Sequence, residues 1–245
     1  MIVIFKDDEY YKKIADDFLS SYCELIDFSE DSEEETRRKW LELRMKGIGG
    51  SDVSCIMGHN HFRNRKDIYK SKLFTTIEST NSAIEYGNYF EDFIFNEFKY
   101  VYKDTFAVLN YKSIMFRNIF IPYFQASVDG VLVEKETNKV GLLEIKTTQM
   151  KKSKWYLEGK RAIPKDYIDQ AIHYFNTTNV DFIIFYPKIN MVGMDNCEYD
   201  SIMLKPRRIN REDVLEYMEQ VEKECIIFWE EHVMKNIEPS NRICL

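Results

Sequence analysis

Three charged residues interrupt a stretch that otherwise reads as β-strand. Ala126 to Thr148 runs ASVDGVLVEKETNKVGLLEIKTT, with Asp129 just before a glycine and Glu144-Ile145-Lys146 near the end. Strands that bury a face favour Val, Ile and Leu, and a buried charge is costly unless it is paired or holds a metal. Period-2 alternation places Glu144 and Lys146 on one face and Leu143 and Ile145 on the other. The intervening EKETNK is turn-like, so a hairpin brings Asp129 and Glu144 together. Two carboxylates on neighbouring strands repel unless a cation joins them. With oxygen ligands alone the expected cation is Mg²⁺ or Mn²⁺. Lys146, on the same face, could orient or deprotonate a water, or stabilise charge developing on a phosphate. Metal, water and lysine together make a site for phosphodiester hydrolysis. The plainer alternative is a surface hairpin with Glu–Lys pairs on its wet side, and the Asp…Glu-x-Lys pattern alone does not decide between them.

The elements that must position these residues are readable from periodicity. Tyr11, Ile14, Ala15, Phe18, Leu19 and Tyr22 recur at helical spacing and predict an amphipathic helix over about residues 7–28. An acidic loop, FSEDSEEET, precedes a helix over RRKWLELRM that KGIGG ends. Ser51 is a good N-cap for a short helix, SDVSCIMG. Helices are expected over about 64–74 and 81–102, and strands near 106–116, 123–133 and 139–147. A basic loop with a short helix is expected over about 149–163. Pro164 opens a helix over KDYIDQAIHYFNTT. DFIIFYP and SIMLKP read as strands, and a last amphipathic helix runs from Glu212 to Lys235. No repeat or linker is evident. The order predicts a mixed α/β or α+β domain.

At 245 residues, 44% hydrophobic, the chain is long enough for a substantial core. No apolar run reaches the roughly 18–20 residues of a membrane span, and the acid-rich start does not fit a signal peptide. A soluble intracellular protein is expected. Cys23, Cys55, Cys197, Cys225 and Cys244 form no C-x-x-C pair, so reduced thiols are expected. The net charge of −7 is unevenly spread: residues 1–36 hold twelve acids against three lysines, a net of −9, which leaves +2 on 37–245. Basic residues cluster at 37–46, 63–66, 151–165 and 205–211, and such patches can bind phosphates on an acidic protein. Taken alone, such a patch is more often just a solvated face.

Four motifs in order carry a family resemblance. Asp129 with Glu144-Ile145-Lys146 resembles the PD-(D/E)xK nuclease motif, with Ser127-Val128 at its loosely kept proline position. Gln170 to Tyr174, QAIHY, is similar to the Q-x-x-x-Y element of the RecB-like branch. WLELRMKGIGGSDVSCIMG (Trp40 to Gly58) and YGNYFEDFIFNEF, with Gly87 and Glu91, resemble the opening segments of the lambda-exonuclease and YqaJ-type viral recombinases. The match spans about residues 40–175, leaving the first 35 or so and the C-terminal helix uncovered. It implies a restriction-endonuclease-like core, a central mixed sheet flanked by helices, with an acidic N-terminal helical extension (1–36) on an exonuclease domain (37–245) in one globular unit.

The resemblance also implies roles. Asp129, Glu144 and the Ile145 carbonyl are metal ligands, Lys146 is the catalytic lysine, and Glu91 helps hold a second metal or its water. Gln170 holds the lysine or the scissile phosphate, with Tyr174 one turn on, as either a functional or a core residue. Arg44 and Ser51 match binders of a terminal 5′-phosphate; a guanidinium fork and a helix start both suit an anion. Lys151, Lys152 and Lys154, in the basic loop, are placed to track a DNA backbone. The expected activity is Mg²⁺-dependent 5′-to-3′ digestion of double-stranded DNA in viral or phage-type recombination. A single-strand annealing protein and a ring-shaped homotrimer are partners by analogy. A structure-specific endonuclease and a non-catalytic DNA-binding module remain alternatives. An iron–sulfur nuclease is disfavoured, because Cys197, Cys225 and Cys244 are spread too widely.

Overall fold

The computed structural model describes residues 7–74, 82–149, 156–157, 160–161, 163–190, 202–203 and 205–240. In chain order the first elements are α1 (Asp8–Ser20), β1 (Cys23–Asp27), α2 (Glu33–Met45), α3 (Gly50–Ile56), α4 (Arg65–Leu73) and α5 (Ser82–Val101). β2 (Phe106–Leu109), β3 (Ile114–Asn118), β4 (Gln125–Ser127), β5 (Gly130–Glu134) and β6 (Val140–Gln149) follow. β7 (Tyr156–Leu157), β8 (Lys160–Arg161), α6 (Lys165–Thr178), β9 (Phe182–Asn190), β10 (Ile202–Met203), β11 (Arg207–Asn210) and α7 (Leu215–Ile227) complete the set.

The centre is a mixed six-stranded sheet in the order β10-β9-β6-β5-β2, with β11 also on β9. β2, β5 and β6 run antiparallel, so the β5–β6 pair closes through the short turn at 135–139. β6 and β9 run parallel. Parallel neighbours need a crossover, and α6 lies in that connection. β1, β3 and β4 form a separate three-stranded sheet. Alternation along β6 separates two cores: Leu142 joins α1, α3, α6 and α7 on one side, while Leu143 and Ile145 meet Ile94, Phe95 and Phe98 of α5 on the other. Glu144 and Lys146 therefore face the α6 side, as alternation predicts. Tyr11, Ala15 and Leu19 of α1 lie in the α6-side core.

Several expected elements are divided differently. The helix expected over 7–28 ends at Ser20, and Cys23–Asp27 pairs with β3 as a strand; long-range pairing outweighs the helical period there. The strand expected over 106–116 is two strands on two sheets, split by a turn in which Asn110 accepts a hydrogen bond from Lys112 N at 3.0 Å. The strand expected over 123–133 also splits, and Asp129 falls in the break. In the basic segment, 156–157 and 160–161 pair as strands; most of the rest of the stretch in which a short helix was expected lies outside the described residues. The last helix begins at Leu215 and passes into a π-helical turn over Phe228–Val233. β11, unforeseen, lies in the basic cluster at 205–211.

α6 is buried almost all round. His173, fully buried, donates from Nε2 to Ile48 O (2.9 Å) and Gln125 O (3.1 Å), stitching α6 to the loop before α3 and to β4. Burial pushes its pKa down to about 4 from the ordinary 6.5, despite the two carbonyls. His173 thus does not face a ligand. Because the folded pKa is depressed, the unfolded chain binds the extra proton first. Its contribution is complete above pH 6.5 and is lost as pH falls from there to about 4. Urea unfolding across that window should show a loss of up to about 3 kcal/mol from this group. His173→Gln, which keeps a donor but does not titrate, should flatten that part of the profile.

Candidate active site

The β5–β6 register sets Gly130 opposite Leu143, so Asp129 arrives beside Glu144. Ile145 N donates to Asp129 Oδ2 at 2.5 Å. Glu144 is buried, and its Oε1 accepts from Lys146 Nζ and, at 2.7 Å, from Gln170 Nε2. Gln170 Nε2 also reaches Tyr174 OH (2.7 Å), whose hydroxyl donates to Ser127 O (2.7 Å). Gln170 thus holds the carboxylate rather than the lysine, and Tyr174 ties α6 to β4. Burial raises the carboxyl pKa of both Asp129 and Glu144, and the Glu144 charge adds to the rise at Asp129. Burial works against a charge on Lys146, but Glu144 and Asp129 outweigh it and its pKa rises. The ammonium also lies 5.0 Å from the centre of the Tyr167 ring, a cation–π contact.

Glu91 approaches from α5. Phe95, one turn later on the same face, packs against Gly130, where an added Cβ would lie 2.7 Å from Phe95 Cε2. That close approach seats α5 beside Asp129, and the Glu91 charge raises the pKa of both Asp129 and Glu144. Glu91 itself is paired with Lys112 Nζ at 2.9 Å. Among the described residues no three acidic, histidine or cysteine groups gather tightly enough to form a metal centre alone. Asp129 and Glu144 nevertheless suit a hard divalent cation. They are adjacent carboxylates, and buried Glu144 Oε2 has no hydrogen-bond partner among the described residues.

The second half of the site comes from α2 and α3. Arg44 Nη2 donates to Ser51 Oγ (3.0 Å) and Asp52 Oδ1 (3.1 Å), and its guanidinium stacks 4.8 Å from the Trp40 ring. Buried Asp52 also accepts from Gly49 N (3.0 Å) and from Lys72 Nζ (2.7 Å). Burial opposes its charge, but Lys72 and Arg44 hold its carboxyl below the usual range. Gly49, not Ser51, takes the N-cap position of α3. Gly50 allows α3 to touch α6: a Cβ there would lie 2.6 Å from Tyr174 Cε1 and 2.8 Å from Gln170 Cγ. One cavity of about 170 Å³ is lined by Trp40, Arg44, Ser51, Ser127, Glu144, Gln170 and Tyr174, among others. Arg44 and Ser51 therefore open onto the same space as Glu144.

Lys151, Lys152 and Lys154 lie outside the described residues. His59 Nδ1 bonds Asp169 Oδ2 (2.7 Å), which makes it a support for α6 rather than a lone surface histidine. Cys23, Cys55 and Cys225 are free and buried. Sequence reasoning missed Lys72 and Lys112. Lys72 had a signal: it follows Ile68 and Tyr69 at helical spacing, on a face that is otherwise buried. Lys112, in a turn, had none.

The YqaJ-like viral recombinase domain matches residues 39–181. The uncharacterized protein YqaJ of Bacillus subtilis (strain 168) is 28% identical over 209 residues; the match covers 84% of this chain and 60% of that protein's length. The alkaline exonuclease LHK-Exo from Laribacter hongkongensis is similar in fold, with a TM-score of 0.58 at 22% identity, covering 82% of this chain and 94% of that one. LHK-Exo in complex with dAMP gives a TM-score of 0.57 at 21% identity over the same shares. These neighbours share the restriction-endonuclease-like fold expected for the central sheet. The matched segment runs through Arg44, Ser51, Glu91, Asp129, Glu144, Lys146, Gln170 and Tyr174, and the chain belongs to the YqaJ-like viral recombinase family.

Proposed function

We propose that this protein is a divalent-metal-dependent deoxyribonuclease that hydrolyses double-stranded DNA from a 5′ end, in viral-type recombination. The observation that carries the reading is the Asp129–Glu144 pair with Lys146 on the same face and Glu144 Oε2 without a hydrogen-bond partner among the described residues. Membership of a recombinase family and likeness in fold to an alkaline exonuclease support it.

Asp129, Glu144 and the Ile145 carbonyl would hold a Mg²⁺ here, which would supply an activated water and neutralise phosphate charge. Lys146, its pKa raised by the two acids, stays protonated near neutral pH. It acts as a cation and hydrogen-bond donor to the phosphate or water, not as a base. Gln170 fixes the rotamer of Glu144. Glu91 flanks the pair, held ready by Lys112. Arg44 and Ser51, on the same cavity, bind the terminal 5′-phosphate.

Two outcomes are expected. With Mg²⁺, linear duplex bearing 5′-phosphates is degraded while covalently closed circles survive, and Lys146→Ala slows digestion by about 10²-fold or more. Cutting of closed circles would point to an endonuclease; equal rates for Lys146→Ala and the parent would remove the proposed chemistry. Independently of turnover, Mn²⁺ at about 100 times its Kd should stabilise the fold by about 2.7 kcal/mol. A melting curve should show that gain vanish in Asp129→Asn.

A further inference from the structure

Arg44 is held from two directions by one buried lysine. Lys72 Nζ donates to the backbone carbonyl of Arg44 (2.9 Å) and to Asp52 Oδ2 (2.7 Å), while Asp52 Oδ1 accepts from the Arg44 guanidinium (3.1 Å). The Lys72 and Asp52 side chains are only 3% and 2% exposed, against 23% for Arg44. A buried ion pair is often replaceable by apolar side chains at no loss of stability, and α4 offers an apolar face at this point through Ile68 and Tyr69. A charged cluster here therefore needs a reason beyond holding α4 down.

The charge count supplies one. Two cations share a single carboxylate, so the cluster carries one uncompensated positive charge, and that excess reaches solvent through Arg44. Among the described residues Arg44 makes side-chain hydrogen bonds only through Nη2, both on the Ser51–Asp52 side, and Nε and Nη1 have no hydrogen-bond partner. A phosphomonoester, at about −1.5 to −2 charge near neutral pH, matches such an excess better than an uncharged hydroxyl end does.

Resting on the 5′-end reading above, we propose that Lys72, acting through Asp52, is the positioning residue that fixes the Arg44 guanidinium for a terminal phosphomonoester and so sets the preference for 5′-phosphorylated ends. Lys72 does not touch the DNA. It fixes one end of Arg44 through the backbone and the other through Asp52, so the guanidinium need not be ordered when the phosphate arrives.

The test is the double variant Asp52→Asn/Lys72→Met. It removes one negative and one positive charge, leaves the excess on Arg44, and loosens only the anchoring. Binding of 5′-phosphorylated and 5′-hydroxyl duplexes is read by fluorescence anisotropy with Ca²⁺ in place of Mg²⁺, and turnover is read with Mg²⁺. The parent should favour the phosphorylated duplex. The double variant should lose about tenfold in affinity for it, the scale of one charge-assisted hydrogen bond, with the loss in KM rather than kcat. A folded double variant that keeps the parental preference would reduce Lys72 to a structural residue and overturn the inference while leaving the end-binding reading intact. A parent without any end preference would remove both together. If that double variant does not fold, Asp52→Asn/Lys72→Gln, which keeps the same charge balance and retains an amide donor at position 72, carries the same two outcomes with a smaller loss.

Discussion

Two carboxylates, Asp129 and Glu144, are forced together at the mouth of one β-hairpin, over a core that raises the cost of charge on both. The surrounding architecture answers that constraint. Ile145 N and Lys146 meet the pair from within the hairpin, and Gln170 meets it from α6. Gln170 can do so only because Tyr174 and Gly50 fix how α6 lies between α3 and β4. The parallel β6–β9 pair requires a crossover, and α6 provides it directly above the charged face of β6. Topology and electrostatics thus select the same place for the helix. An apolar residue at position 170 would pack there, but it would leave Glu144 Oε1 with Lys146 alone.

Glu144 and Arg44 line one cavity, and each belongs to a cluster with an excess of formal charge. Asp129, Glu144 and Lys146 sum to one negative charge, and Arg44, Asp52 and Lys72 to one positive. A divalent cation beside the first and a phosphate beside the second would each meet opposite charge. The acidic balance of the whole chain does not contradict this. Acids from the N-terminal segment are used on neighbouring bases: Asp31 on Lys39, Glu35 on Arg38, Glu24 on Arg117 and Asp8 on Lys99. These pairs are largely exposed and contribute little to stability. Each pairs a base that lies outside the cavity lining.

Much of the candidate site was legible because its motif residues gather at one place in the fold. Glu144 and Lys146 follow from alternation in a strand, Asp129 from the hairpin that precedes it, and Gln170 and Tyr174 share a helix face by their spacing. Element boundaries were less legible wherever long-range pairing decides. Cys23–Asp27 continues a helical pattern, yet β3 supplies it with a hydrogen-bonding partner. The runs at 106–116 and 123–133 each looked like one strand because both halves are apolar; nothing local marks the change from one sheet to another. Ser51 looked like a cap because serine usually is one, but Gly49 takes the extended conformation at that position instead.

Lys72 and Asp169, which hold the site from outside, belong to no motif. They do obey the rule that first drew attention to Glu144: a charge on an apolar face is expensive, so it must have a partner. Lys72 breaks the buried face of α4 as Glu144 breaks the buried face of β6. Asp169 does the same on α6, where His59 and Tyr217 OH (2.5 Å) satisfy it and bind the helix to the loop after α3 and to α7. Applied to helices as strictly as to strands, that rule would have marked both from sequence, although not their partners. Partners come from elements far apart in the chain: Lys72 lies 20 residues from Asp52, and His59 lies 110 from Asp169. Only the packed fold brings each pair together.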